Sequence, residues 1–155
     1  PQRITHNDTK IDNVLLDQNT DEVMCIVDLD TVMPGLIHYD FGDMVRTLTS
    51  PADEDERDLD KVTMRMDFFD ALAKGYLSEA NDFLSEAEKG YLAQAGKVIT
   101  FQLGVRFLTD HLNGDTYFRV HREGQNLDRA RVQFKLVERM LENEEAMKAT
   151  IAALG

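Results

Sequence analysis

Two short apolar runs, Val14-Leu15-Leu16 and Val23-Met24-Cys25-Ile26-Val27, constrain this chain most. Between them lies the polar stretch Gln18-Asn19-Thr20-Asp21. Short apolar runs joined by turn-forming residues predict a β-hairpin. Before it comes the polar segment His6-Asn7-Asp8-Thr9-Lys10-Ile11-Asp12-Asn13, and after it Asp28-Leu29-Asp30. A hairpin folds the chain back on itself, so the acid at Asp28 returns beside the segment that precedes the first strand.

That segment has the spacing H-x-D-x-x-x-x-N. In phosphoryl-transfer enzymes of the kinase type, this spacing sets a base and a metal ligand on one loop. Asp8 is the candidate acceptor of a proton from an attacking hydroxyl. Asn13 offers an amide oxygen to Mg²⁺, which prefers oxygen ligands, and Asp28 is the second candidate ligand. Either piece alone occurs by chance in solvated turns. Their order along one hairpin favours the catalytic reading.

The wording HNDTKIDNVLLD, VDLDTVMPGL and YDFGD resembles the aminoglycoside phosphotransferase and choline kinase family of small-molecule kinases. Within that family it is most similar to the N-acetylhexosamine 1-kinases. The resemblance implies a protein-kinase-like fold, ATP and Mg²⁺ as cosubstrates, and phosphorylation of a sugar hydroxyl. It also implies that an acid at Asp40 braces the catalytic loop. Asp40-Phe41-Gly42 reads like the D-F-G of protein kinases, but it follows the turn signal Pro34-Gly35 and precedes the helical run Met44-Val45-Arg46-Thr47-Leu48. Asp40 therefore fits a helix N-terminus, where a carboxylate accepts orphan backbone N–H groups.

At 155 residues the chain has the length of a single domain, 1–155, and its apolar fraction of 43% excludes disorder. No apolar run approaches the roughly 18 residues of a membrane span. The net charge of −12 argues against nucleic-acid and anionic-membrane partners, which require clustered Lys and Arg. The acids Asp53-Glu54-Asp55-Glu56 read as a solvated loop. Cys25 has no second cysteine to pair with, which together with the lack of a signal peptide suggests a reducing cytoplasm. No G-x-G-x-x-G occurs in the sequence, although a kinase of this type needs a phosphate-covering loop and a strand lysine. The expectation is a C-terminal catalytic lobe of a longer enzyme whose N-terminal nucleotide-binding lobe lies outside these residues.

Beyond the hairpin the patterns are helical. A helix is predicted from about Tyr39 to Leu48, and another from Leu59 to Leu77, with Val62, Met66, Phe69, Leu72 and Ala73 near a 3.6-residue period. Ser85 and Glu88 form a capping-box signature for a helix ending near Asn113-Gly114. A last helix is predicted from about Asp128, with Val132, Leu136, Met140, Met147 and Ile151 on one side. The fold class expected is mainly α with one small β-hairpin.

Other residues extend the candidate site. Lys10 can reach γ-phosphoryl oxygens and offset charge as it spreads in the transition state. His6 is expected to hold the loop by hydrogen bonds. Asp30, two residues after Asp28, points to the same side on an extended chain, where it can bind substrate hydroxyls. Arg106 is either a site residue or an exposed partner of Asp110, and Tyr117 either a sugar-contacting ring or a loop anchor. The resemblance favours the site reading for both. The remaining histidines show no zinc spacing. Three rivals stand: a kinase of choline or an aminoglycoside; a metal-dependent hydrolase using His6, Asp8, Asp28, His38 and Asp40; and a non-catalytic binding module. The absence of Trp disfavours a quaternary-ammonium cage.

Overall fold

The computed structural model describes residues 1–155, which form a helical body with two small antiparallel strand pairs at one end. Strand β1 (Arg3–Thr5) leads into the loop 6–13, and β2 (Val14–Leu16) and β3 (Val23–Ile26) make the hairpin. Its turn is held by Asp17 Oδ1, which accepts from the backbone N–H groups of Asn19 at 2.8 Å and Thr20 at 3.1 Å. A second pair was not expected. β4 (Met33–Gly35) runs antiparallel to β1, so Pro34-Gly35 is strand rather than turn. Gly35 is needed there because a Cβ would collide with the Thr5 hydroxyl.

Five helices follow: α1 (Ile37–Leu48), α2 (Met66–Ala80), α3 (Glu86–Leu112), α4 (Gln125–Glu142) and α5 (Glu144–Leu154). α3 is the spine, packed between α1 and α4. Close crossing of α1 and α3 depends on small residues. A Cβ at Gly42 would meet the Ala95 carbonyl, and one at Gly96 would meet Val45. The Asp40-Phe41-Gly42 run is thus divided by burial. Phe41 is fully buried edge-on to Phe69, Gly42 makes the helix contact, and only Asp40 faces the loop.

The capping box at α3 forms as its spacing predicts, with Ser85 Oγ accepting from the Glu88 N–H and Glu88 accepting from the Ser85 N–H. Glu88 is also the partner of Arg3, at 2.8 Å and 3.0 Å, which ties β1 to the start of α3. Hydrogen bonding to Arg3 and Ser85 holds the Glu88 carboxyl far below the ordinary range.

Two helix predictions need correction. The segment expected as one helix from Leu59 is a 3₁₀ turn, Leu59–Lys61, then an extended stretch before α2. Tertiary bonds override the period: Arg65 N–H donates to the Thr49 carbonyl at 2.8 Å, and the Val62 carbonyl accepts from Arg139 at 3.1 Å. The last helix is two helices divided at Asn143, whose side-chain amide donates to the Arg139 carbonyl at 2.8 Å. The break turns Met147 and Ile151 of α5 into the core beside α2 and α3.

The acidic loop is not free in solvent. Asp55 pairs with Arg122 at 3.1 Å, Glu54 with Arg129 at 3.1 Å, and Glu56 with Lys61 at 3.3 Å. Cys25, expected within an apolar strand, is exposed, as is every residue of β3. No helix is long and apolar enough to cross a membrane.

Candidate active site

The loop between β1 and β2 is built around the Asp40 carboxylate. Asp40 Oδ2 accepts from the His6 N–H at 2.9 Å and Oδ1 from the Asn7 N–H at 2.7 Å. Asp40 lies in the first turn of α1, yet it serves the loop rather than its own helix end. Thr9 donates to the Asp40 carbonyl at 2.7 Å, adding a third tie to the same residue. Asn7 adopts φ 65°, a left-handed conformation that Asn tolerates better than most residues. Its side chain bonds to Thr5 and to the Thr31 carbonyl, while the Thr31 hydroxyl donates to the His6 carbonyl at 2.7 Å. Asn7, Thr9 and Thr31 were missed from sequence; only an Asn within a tight polar loop hinted at the first.

The His6 ring lies between Val27 and Asp8. Its Nε2 is 3.2 Å from the Val27 carbonyl, and its Nδ1 accepts from the Asp8 N–H at 3.3 Å. Those partners assign the neutral tautomer with the proton on Nε2. His6 thereby links the loop to the end of β3.

Asp8 is at the centre. Its Oδ2 accepts from Lys10 Nζ at 2.9 Å and from Asn13 Nδ2 at 2.9 Å. Asn13 Nδ2 also donates to the Asp8 carbonyl at 2.8 Å. No protein donor reaches Asp8 Oδ1. Burial pushes the Asp8 carboxyl up, but hydrogen bonds from Lys10 and Asn13, with the Lys10 charge, outweigh it and hold it below the usual range. The same bond to Asp8 raises Lys10, opposed by burial and reinforced by the charges of Asp8, Asp28 and Asp12.

Asn13 is 5% exposed, and with its amide N–H₂ committed to Asp8 its amide oxygen keeps no protein donor. The Val27 N–H donates to the Asn13 carbonyl at 2.9 Å, so the chain returns beside Asn13 just before Asp28. Asp28 takes φ 63° and lies 3.9 Å from Lys10 Nζ. An amide oxygen and a carboxylate are donors of the kind a hard divalent cation takes, and no group of three or more His, Cys, Asp or Glu side chains is arranged to hold a metal ion.

The family model of the phosphotransferase enzyme family (APH) matches residues 1–87. The chain belongs to that family. Phosphotransferase activity toward small molecules follows from this membership. In this phosphotransferase the match spans the loop, both strand pairs, α1 and α2, so nearly all of α3, with Arg106, and the whole of α4 and α5 lie beyond it.

Of the sequence candidates, Asp8, Lys10, Asn13 and Asp28 meet at the end of the hairpin, and His6 and Asp40 hold the loop. Arg106, on α3, joins Asp8 in lining a groove of about 380 Å³. It makes no pair with Asp110. Its Nη2 is 3.4 Å from the Tyr117 hydroxyl, and its guanidinium lies 5.6 Å from that ring. Tyr117 is 74% exposed and borders a neighbouring cavity with Arg106 rather than the Asp8 groove. The backbone that carries it is fixed by Asp110, which accepts from the N–H groups of Thr116, Tyr117 and Phe118 at 2.8–3.0 Å.

Asp30 is the exception. Asp30 would share the side of Asp28 on an extended chain, but Asp28 is left-handed and Leu29–Thr31 is a 3₁₀ turn. Asp30 is exposed and hydrogen-bonds to none of the other candidates. The residues of the hydrolase alternative do not gather either. His38 bonds to the Glu88 carbonyl at 2.9 Å, and Asp40 is filled by backbone N–H groups.

Proposed function

We propose that this chain is the C-terminal catalytic lobe of an ATP- and Mg²⁺-dependent kinase that phosphorylates the anomeric hydroxyl of an N-acetylhexosamine. The observation that carries the reading is the division of labour at Asp8: Oδ2 is pinned by Lys10 and Asn13, and Oδ1 is free beside an open groove. In the reaction the acceptor oxygen attacks the γ-phosphorus, the bond to the ADP oxygen breaks, and the hydroxyl proton passes to Asp8. Asp8 orients that hydroxyl through its free oxygen. Asn13 and Asp28 would hold Mg²⁺, which supplies charge neutralisation across the β- and γ-phosphates. Lys10 donates toward the phosphoryl oxygens from its place between Asp8 and Asp28. Arg106 contacts the acceptor in the groove, and Tyr117 supports that guanidinium from the neighbouring cavity.

The choice of a neutral acceptor rests on charge. The groove sets Arg46 and Arg106 against Asp8 and Asp43, leaving no net negative charge for a polycationic aminoglycoside or a choline head group. Its volume is ample for one sugar ring, and the lone cysteine suits a reducing cytoplasm supplied with ATP.

The test is a coupled ADP assay on the full-length enzyme with N-acetylglucosamine, N-acetylgalactosamine, choline and an aminoglycoside as acceptors. Turnover is expected with the N-acetylhexosamines, and Asp8→Asn should lower kcat by roughly 10²-fold or more while sparing ATP binding. Near-wild-type kcat in Asp8→Asn would remove the assignment.

A further inference from the structure

The groove beside Asp8 has a second cationic wall that the loop motif does not account for. Asp43 and Arg46 lie one turn apart on α1 and line the same groove as Asp8 and Arg106. Asp43 Oδ1 accepts from Arg46 Nε at 2.9 Å and from Nη2 at 2.7 Å. The two side chains are only 11% and 12% exposed. Arg46 Nη1 has no protein acceptor, and Asp43 Oδ2 is sealed without a donor.

An exposed pair at this spacing would contribute little and need no explanation. A nearly buried one is different, because both charges lose water and the unmet donors add to the cost. A guanidinium buried to join two elements bonds across them. Arg46 does not: its only partner is on its own helix, so the pair fastens α1 to nothing. What it does achieve is a fixed guanidinium plane in the wall of the groove, with Nη1 left over.

We infer that Arg46 binds the acceptor, its Nη1 donating to an acceptor oxygen, and that Asp43 is the positioning residue that sets the guanidinium. This rests on the reading of the groove as the acceptor site. Guanidinium nitrogens donate only, so the group recognised is an acceptor oxygen, and the balance of Asp8 and Asp43 against Arg46 and Arg106 favours an uncharged one, a hydroxyl or an acyl carbonyl. With Arg106 as a second donor, the class that fits is a neutral, oxygen-rich acceptor presenting oxygens on more than one side.

The experiment is steady-state kinetics of Arg46→Lys, Asp43→Asn and the double variant in the full-length enzyme. The acceptor used is whichever alcohol gives turnover that disappears in Asp8→Asn. Arg46→Lys should raise the acceptor KM by roughly tenfold, the scale of one charge-assisted hydrogen bond, and leave the KM for ATP within about twofold. Asp43→Asn should act in the same direction, and the double variant should be no worse than Arg46→Lys alone, since Asp43 acts through Arg46. Equal effects on both substrates, or additive losses, overturn the inference. If Arg46→Lys does not fold, Arg46→Gln replaces it, and failure of both to fold assigns the pair to the core and also overturns it. Finding no Asp8-dependent alcohol defeats the kinase reading, whereas an unchanged acceptor KM defeats only this inference.

Discussion

At the scale of single residues, Asp8 is held ionised by its neighbours, and this has a consequence for pH. A carboxyl whose folded pKa lies below its ordinary value stays charged until the pH falls through that lowered value. At saturating Mg·ATP, kcat should therefore stay level through the ordinary carboxylate range, with the limb due to Asp8 displaced to its acid side. A limb centred near pH 6–7, with the fold intact by circular dichroism, would contradict this placement. A weakly basic carboxylate suits a loose phosphoryl-transfer transition state, in which the proton leaves late and alignment of the hydroxyl matters most. The contact between Arg106 and Tyr117 gives a second expectation. Arg106→Ala and Tyr117→Phe should raise KM for the acceptor more than KM for ATP, and equal shifts would return both to structural roles.

At the scale of elements, the hairpin and the capped start of α3 were legible because each is written in contiguous residues. Other features depend on partners far along the chain. β1 and β4 have three residues each, and their pairing is tied by bonds from distant residues: Asp40 and Thr31 to His6, and the Thr5 hydroxyl to the Met33 carbonyl. The break before α2 comes from Arg65 reaching back to Thr49, and no local pattern announces it. Asp43 and Arg46 stand out only once α1 is packed beside the groove they line. The placement of Asp30 on the side of Asp28 does not hold, for the converse reason: strand alternation does not extend to a chain that has left the strand. The capping box offers a test of element stability. Ser85→Ala should cost about 0.5–2 kcal/mol, a fall of roughly 2–4 °C in midpoint for each kcal/mol. The Glu88 carboxyl has a depressed folded pKa, so its stabilisation is complete above the ordinary glutamate range and is lost as acid protonates it. The thermal midpoint of Glu88→Gln should thus fall below wild type at neutral pH and converge with it in strong acid.

At the scale of the molecule, two apolar surfaces stand open. One is the hairpin, with Leu15, Val23, Met24 and Ile26 exposed; the other is the outer face of α3, with Tyr91, Val98, Phe101, Val105 and Leu112. The opposite face of α3 is buried in the core, so this helix is apolar on both sides. The core formed by the five helices is continuous enough to predict cooperative unfolding of these 155 residues by themselves. Catalysis is another matter: under the proposed lobe assignment the adenine site and the clamp on the α- and β-phosphates belong to another lobe, and phosphoryl transfer depends on positioning. Calorimetric titration of the isolated chain with Mg·ATP should show little affinity, and a coupled assay no measurable sugar phosphorylation. Turnover near that of an intact kinase would show that these residues suffice.

The exposed strand β3 also carries the sole cysteine of the chain, a few residues before Asp28. Thiol reagents attack where a sulfur is accessible, so Cys25 can be modified in the native state without an engineered residue. A maleimide fluorophore there would sit on the outside of the hairpin, close to the proposed phosphate-handling centre but not among its ligands. Its emission would report on nucleotide arriving at that end of the molecule, and on whatever covers the strand, by a signal independent of turnover.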